Sequence, residues 1–231
     1  MPVAVITGAS AGLGRALATA LAARGWDLIL TGRRAGPLAT VAAGLGGAAT
    51  AVTGDVADPA HRAQIAGAAS AAGRLDLLVN NASALGPTPL PRLAALTPAD
   101  LIKIYDTNVA APLGLVQAVL PLLLRSDAAI VNVSSDAAVE HYPGWGGYGA
   151  AKSALDHLTG TLAAEIPELR WYAVDPGDMR TAMHQAAFPG EDISDRPPPE
   201  TVVPALLRLV DARPASGRYR ASSLLAEVAH Q

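Results

Sequence analysis

Cysteine is absent from all 231 residues, which removes disulfides, thiolate nucleophiles and Cys-ligated zinc or iron–sulfur centres from the chemistry open to this chain. Charge is sparse and nearly balanced. Seventeen basic against 20 acidic side chains leave a net charge of -3, too little for a broad electrostatic footprint on nucleic acid or an anionic membrane. No apolar run reaches the ~20 residues that cross a bilayer. The oiliest stretch, Val109 to Leu124, is interrupted by Pro112, Gly114, Gln117 and Pro121 and reads as a buried helix followed by a turn. An apolar strand begins at Val3, leaving no basic segment for a cleavable signal peptide, so the expected location is cytoplasmic. The five histidines, His61, His141, His157, His184 and His230, show no metal-ligand spacing. Most are expected at the surface, and no metal is assigned.

Hydrophobic residues make up 51% of the chain and charged residues 16%, enough apolar material for an extensive core in one domain spanning 1–231. Short β-rich runs alternate with longer Ala/Leu-rich segments, the pattern of repeated βαβ units. Strands are expected at Val3–Thr7, Asp27–Thr31, Thr50–Thr53, Leu75–Asn80, Ala128–Val133, Arg170–Val174 and Arg218–Arg220. Helices are expected at Leu13–Arg24, Pro37–Leu45, Ala60–Ala72, Pro98–Leu124, Gly149–Glu165 and Thr201–Arg213, two of them announced by Asp58-Pro59 and Thr97-Pro98. The fold class is therefore α/β, a doubly wound sheet of about seven mainly parallel strands between two helical layers. His184 to Glu200, with Phe188-Pro189-Gly190 and Pro197-Pro198-Pro199, breaks the pattern and reads as a substrate loop.

Directly after the first strand comes Thr7-Gly8-Ala9-Ser10-Ala11-Gly12-Leu13-Gly14, opening a helix. Glycines let the backbone approach a pyrophosphate, and the helix N-terminus offers unpaired N–H groups and the positive end of its dipole. An enzyme binding NAD carries an acidic residue at the end of the second strand for the ribose hydroxyls. Here that position is Gly32, followed by Arg33 and Arg34, and a guanidinium grips a 2′-phosphate where a carboxylate would repel it. NADP(H) is thus the preferred cofactor, with NAD(H) possible, and Arg15 stands close enough in sequence to assist.

Tyr148 and Lys152 lie four positions apart at the start of an apparent helix, hence on one face. A phenol titrates near ~10, and a cation within ~4–6 Å favours phenolate. The pair is expected to bring the phenol into working range, so that it gives a proton to a developing alkoxide or removes one from an alcohol. Upstream, Ile130-Val131-Asn132-Val133 ends at Ser134-Ser135, at the carboxyl edge of the sheet, where either hydroxyl can meet a substrate oxygen.

Taken together, these motifs closely resemble those of the short-chain dehydrogenase/reductase family, in its compact single-domain branch with a Rossmann-type fold. The resemblance covers nearly the whole chain: the glycine motif at Thr7 to Gly14, the adenine-side Asp55-Val56, Asn80-Asn81-Ala82 after the fourth strand, the Ser, Tyr and Lys set, Pro176-Gly177 after the sixth strand, and Ser216-Gly217-Arg218-Tyr219. It implies that Ser135, thirteen positions before the tyrosine, is the catalytic serine, and that Asn108 is a fourth member organising a water relay to Lys152. It implies cofactor contacts from Gly8, Ser10, Gly12, Leu13, Gly14, Arg33, Arg34, Asp55, Val56, Asn81, Ala82, Pro176, Gly177 and Thr181. Thr181 would meet the nicotinamide carboxamide, while Tyr148 and Lys152 serve cofactor as well as catalysis. A homodimer or homotetramer packed through the Pro98–Leu124 and Gly149–Glu165 helices is a further implication. Two departures are a serine, Ser83, where the family has glycine after Asn-Asn-Ala, and a short stretch between Pro176 and the last strand. Gly144-Trp145 is similar to the sepiapterin and benzil reductase branch.

Glu140 and His141 are expected in a solvated loop, and Tyr142, Trp145, Met179, Met183 and Phe188 as walls of an apolar pocket or as core. The expected activity is NADP-dependent hydride transfer between nicotinamide and a small ketone, aldehyde or secondary alcohol. A rival of another class is a non-catalytic NADP-sensing regulatory protein of the same fold. The intact Ser135, Tyr148 and Lys152 argue against it.

Overall fold

Every residue of Val3–Thr7, Leu77–Asn80 and Ala129–Val133 is buried, as expected of parallel strands covered on both faces. The computed structural model describes residues 1–228. Its strands are β1 (Val3–Thr7), β2 (Asp27–Gly32), β3 (Ala49–Thr53), β4 (Leu77–Asn80), β5 (Ala129–Val133), β6 (Arg170–Asp175) and β7 (Gly217–Arg220). They form one parallel sheet in the order β3-β2-β1-β4-β5-β6-β7. Strand order reverses between β1 and β4, which opens a crevice at their carboxyl ends.

Helices α1 (Gly12–Ala23), α2 (Ala35–Gly44), α3 (Pro59–Ala72), α4 (Pro98–Tyr105), α5 (Ala111–Arg125), α6 (Gly146–Glu165), α7 (Ala182–Ala187), α8 (Val203–Ala212) and α9 (Ala221–Val228) cover the sheet. The two-residue period of the strands divides the core. Ala4, Ile6, Val79, Val131 and Val174 pack with Leu17 and Leu21 of α1 and Leu206 and Leu209 of α8. Val5, Leu78, Ile130 and Trp171 pack with Ile65 of α3 and Leu115 and Val119 of α5. The expected punctuation operates as caps: the Asp58 carboxylate accepts from Ala60 N at 2.8 Å, and the Thr97 hydroxyl accepts from Asp100 N at 3.1 Å.

Three departures from the sequence reading matter for the site. The helix expected over Pro98–Leu124 is divided by a π turn at Asp106–Ala110, which inserts an extra residue at Asn108. The combined segment Pro98–Arg125 is long and apolar enough to cross a membrane by length and composition, but its buried side belongs to the core around Leu115 and Val119. The segment expected as a loop from His184 begins instead inside α7, whose start is capped by the Thr181 hydroxyl accepting from His184 N at 3.2 Å. Helix α9 follows β7 with no separating loop, and α6 starts three residues earlier than expected, which puts Tyr148 inside its first turn.

Candidate active site

Above the carboxyl ends of β1, β4, β5 and β6 lies a cavity of about 620 Å³. One side is the glycine turn. Gly8 and Gly12 take φ of +66° and +54°, values that favour glycine, and a Cβ at Gly8 would stand 2.9 Å from Asn81 Nδ2. The Asn81 amide donates to Thr7 O at 2.8 Å and so ties β4 to the turn. Ala11, preceding α1, makes no side-chain cap, so the first N–H groups of the helix are left for a ligand. This cradle fits an anionic diphosphate.

The opposite side carries the polar set. Ser134, Ser135, Tyr148 and Lys152 all line the cavity. Lys152 is 1% exposed; its Nζ donates to Val133 O at 2.7 Å and sits 5.5 Å from the Tyr148 ring centroid. Ser135 Oγ donates to Asp136 Oδ1 at 3.0 Å and accepts from Ala137 N at 3.2 Å, which fixes the hydroxyl at the head of a short turn. Ser134 Oγ is buried with no partner among the described residues.

The electrostatics run against the sequence expectation for the phenol. Burial pushes Tyr148 up to about 12; hydrogen bonding with Ser135 and Ser83 opposes the rise, and the carboxylates of Asp136 and Asp175 add to it. Burial pushes Lys152 down to about 8, with Asp156 opposing. The two side chains share one face, as helical spacing requires, but burial of the phenol is the largest influence on it and raises it.

Asn108 is brought near but not into the cavity wall. Fully buried in the π turn, its amide donates to Ala84 O at 2.8 Å and Ile104 O at 3.0 Å, while its Oδ1 accepts from Ser83 Oγ at 2.7 Å and Ala84 N at 3.2 Å. Two donors and two lone pairs are thereby used, leaving the side chain no position for a relay water. Ser83, noted in the sequence only as a departure from glycine, donates to Asn108 and opposes the rise of the Tyr148 phenol.

Of the remaining expected cofactor residues, Gly8, Gly12, Leu13, Arg34, Asn81, Ala82, Pro176, Gly177 and Thr181 line the cavity, whereas Ser10, Gly14, Arg33, Asp55 and Val56 do not. Gly14 is a packing position: a Cβ there would meet Asn81 Nδ2 at 2.6 Å and Gly8 O at 2.7 Å. Arg33 is exposed and 4.0 Å from Asp55, next to one another on the surface. Tyr142, Trp145, Met179, Met183 and Phe188 all form cavity wall, with Trp145 edge-on to Tyr148 at 5.6 Å and 5.9 Å from Phe188.

Glu140 and His141 are exposed and line a neighbouring depression. Two histidines depart from the surface expectation. His61 is buried with Nε2 2.6 Å from Thr31 Oγ1, and His184 is stacked on Phe188 at 4.9 Å. His230 lies outside the described residues.

A residue missed by sequence reasoning is Arg218 of β7. Its guanidinium donates to Asp156 Oδ2 and to Ser135 O, each at 2.9 Å, and lies 3.7 Å from Asp175. The final strand is thus fastened to the loop after β5 and to α6.

The family model for short chain dehydrogenase matches residues 2–192. The chain belongs to the short-chain dehydrogenase family. Within it, a Mycobacterium tuberculosis oxidoreductase is 35% identical over 216 residues, 90% of this chain and 80% of the relative. A serine 3-dehydrogenase of Agrobacterium fabrum is 36% identical over 183 residues, covering 77% of this chain and 72% of the relative. Among solved structures, a short chain dehydrogenase of Shigella flexneri complexed with NADP superposes with a TM-score of 0.89 at 31% identity, covering 96% of this chain and 97% of the other. An Escherichia coli short chain dehydrogenase complexed with NADPH gives 0.88 at 32%, covering 95% and 96%. The chain is an oxidoreductase of the short-chain dehydrogenase fold.

Proposed function

We propose that this oxidoreductase is an NADP(H)-dependent carbonyl reductase or alcohol dehydrogenase acting on small ketones, aldehydes or secondary alcohols. The observation that carries the reading is one cavity in which an uncapped glycine turn faces Ser135, Tyr148 and Lys152. The Shigella and Escherichia relatives bound to NADP and NADPH support the choice of cofactor. When bound, the nicotinamide supplies hydride to the carbonyl carbon.

Every other part of the chemistry falls to side chains. The Tyr148 hydroxyl gives its proton to the developing alkoxide, and Ser135 Oγ turns from Asp136 to donate to the same oxygen. Lys152 provides a buried cation beside the phenol and would hold the ribose hydroxyls. Asn108 acts as a positioning residue through Ser83. With the phenol raised to about 12, it is protonated at neutral pH, the form needed for reduction. Gly8, Gly12, Leu13, Asn81 and Ala82 hold the diphosphate side, Pro176, Gly177 and Thr181 the nicotinamide side, and Arg33 and Arg34 the 2′-phosphate. Ser10, Gly14, Asp55 and Val56 shape the adenine side without lining the cavity.

We further assign a cytoplasmic, homodimeric or homotetrameric enzyme of one domain, with α4, α5 and α6 as the pairing face; Ile102 and Leu124, 61% and 46% exposed, are the apolar residues it would cover. The test is a panel of small ketones and aldehydes followed by NADPH absorbance. Turnover of at least one is expected. Tight NADPH binding with no oxidation across the panel would replace this reading with the cofactor-sensing one.

A further inference from the structure

Three carboxylates line the substrate side of the cavity, and they differ in what neutralises them. Asp175 has Arg218 at 3.7 Å and Arg220 at 3.9 Å. Asp178 has Arg196 at 3.5 Å and His184 at 3.8 Å. Asp136 has no cation within 4 Å among the described residues. Its partners are neutral donors: Ser135 Oγ at 3.0 Å and Ala137 N at 2.8 Å on Oδ1, and the Tyr142 hydroxyl at 3.0 Å on Oδ2. A carboxylate in a cleft whose wall also carries Tyr142 and Trp145 is a setting that favours a cation by its charge.

Position narrows the ligand further. Oδ1 of Asp136 is one hydrogen bond from the serine hydroxyl assigned to the reacting oxygen. The closeness of the two groups suits a substituent borne on the carbon next to the carbonyl that meets Ser135. His184, in the same wall and nine-tenths buried, leaves its buried Nε2 with no partner among the described residues. The Asp136 carboxylate repels a substrate anion.

We propose that Asp136 is a specificity-determining residue that selects small carbonyl compounds carrying an ammonium group on the adjacent carbon, and the corresponding amino alcohols. The inference rests on the carbonyl reductase reading for turnover but not for binding. In the forward direction the carbonyl carbon gains hydride as the dihydronicotinamide is oxidised, the oxygen gains the Tyr148 proton, and solvent reprotonates the phenol. An amino ketone becomes an amino alcohol with its ammonium unchanged.

Two measurements test it. In the first, aminoacetone, hydroxyacetone and acetoacetate are compared by kcat/KM with NADPH. Aminoacetone is expected to exceed hydroxyacetone by tenfold or more, acetoacetate to be poorest, and Asp136→Asn to bring the first ratio within threefold. In the second, without turnover, 1-amino-2-propanol and 1,2-propanediol are titrated against the wild-type protein by tryptophan fluorescence, Trp145 being part of the wall. The amino alcohol is expected to bind tenfold more tightly, a preference lost in Asp136→Asn and kept in Asp178→Asn, whose carboxylate already has Arg196. Equal wild-type affinities, or a preference that survives Asp136→Asn, overturn the proposal. Selective binding without turnover of any carbonyl leaves Asp136 in its role and removes the reductase reading; efficient reduction of hydroxyacetone over aminoacetone does the reverse.

Discussion

The two halves of the cavity are built by different means. The cofactor half is built around a local device: eight consecutive residues, Thr7 to Gly14, bend with two left-handed glycines and expose a helix N-terminus, braced from β4 and the residues after it through Val79, Asn81 and Ala82. The substrate half is assembled from residues far apart in the chain, Ser83, Asn108, Asp136, Trp145, Tyr148, His184 and Phe188, held by side-chain hydrogen bonds and ring contacts. Backbone-built sites tolerate side-chain change around them, whereas side-chain networks transmit it.

The largest test of that contrast is Tyr148→Phe, expected to cut kcat by more than ~100-fold while leaving NADPH affinity nearly unchanged, measured by steady-state kinetics and by cofactor fluorescence. Full activity in this variant would move the proton donor elsewhere. Gly14→Ala attacks the other half. Its Cβ would collide with Asn81 Nδ2 and Gly8 O, so an overpacking cost of about 1–3 kcal/mol is expected in urea unfolding, with NADPH binding weakened about tenfold. Arg33→Ala is expected to weaken NADPH about tenfold and NADH little, because NADH lacks the 2′-phosphate proposed as the partner of the guanidinium. Equal losses would release Arg33 from that role.

Acid–base behaviour sharpens the comparison further. Between pH 8 and the 10.5 of an exposed lysine, the unfolded chain keeps a proton that buried Lys152 has given up, so Lys152 makes stability rise with pH across that window. Lys152→Met should lack this rise in urea unfolding followed from pH 7.5 to 10.5. The same deprotonation removes the cation beside Tyr148, so reductive kcat/KM is expected to fall as pH passes about 8. The smallest effect is expected of Ser83→Gly, a change of a few-fold in kcat with a displaced alkaline limb, because it removes one hydroxyl opposing the rise of the phenol and frees Asn108 Oδ1. An unchanged pH profile would reduce Ser83 to packing.

How much could be read from the sequence follows the same division. The strand and helix succession, the glycine turn and the Tyr148–Lys152 face were legible because each is set by neighbours within a few positions: a two-residue or helical period, a cap, a glycine. The π turn was not, since nothing local in Asp106 to Ala110 forbids an ordinary helix and the turn is stabilised by Asn108 reaching loop residues 83 and 84. Helix α7 was hidden by its length of six residues and the proline-rich stretch that follows it. The direction of the Tyr148 shift was misjudged because spacing reports proximity to a cation but not burial, and burial proved the larger influence. Arg218 was visible only as part of the last-strand motif and its anchoring contacts were not, because its partners Ser135 and Asp156 lie 83 and 62 positions upstream.

That arginine has a consequence for the way the protein comes into being. Ser135, Tyr148 and Lys152 all emerge from the ribosome well before Arg218, and until the last strand docks, the loop behind Ser135 lacks its guanidinium anchor and Asp175 and Asp156 face one another's neighbourhood without that shared counter-charge. The loop bearing Ser135 thus receives its guanidinium anchor only when an edge strand made 83 positions later has docked.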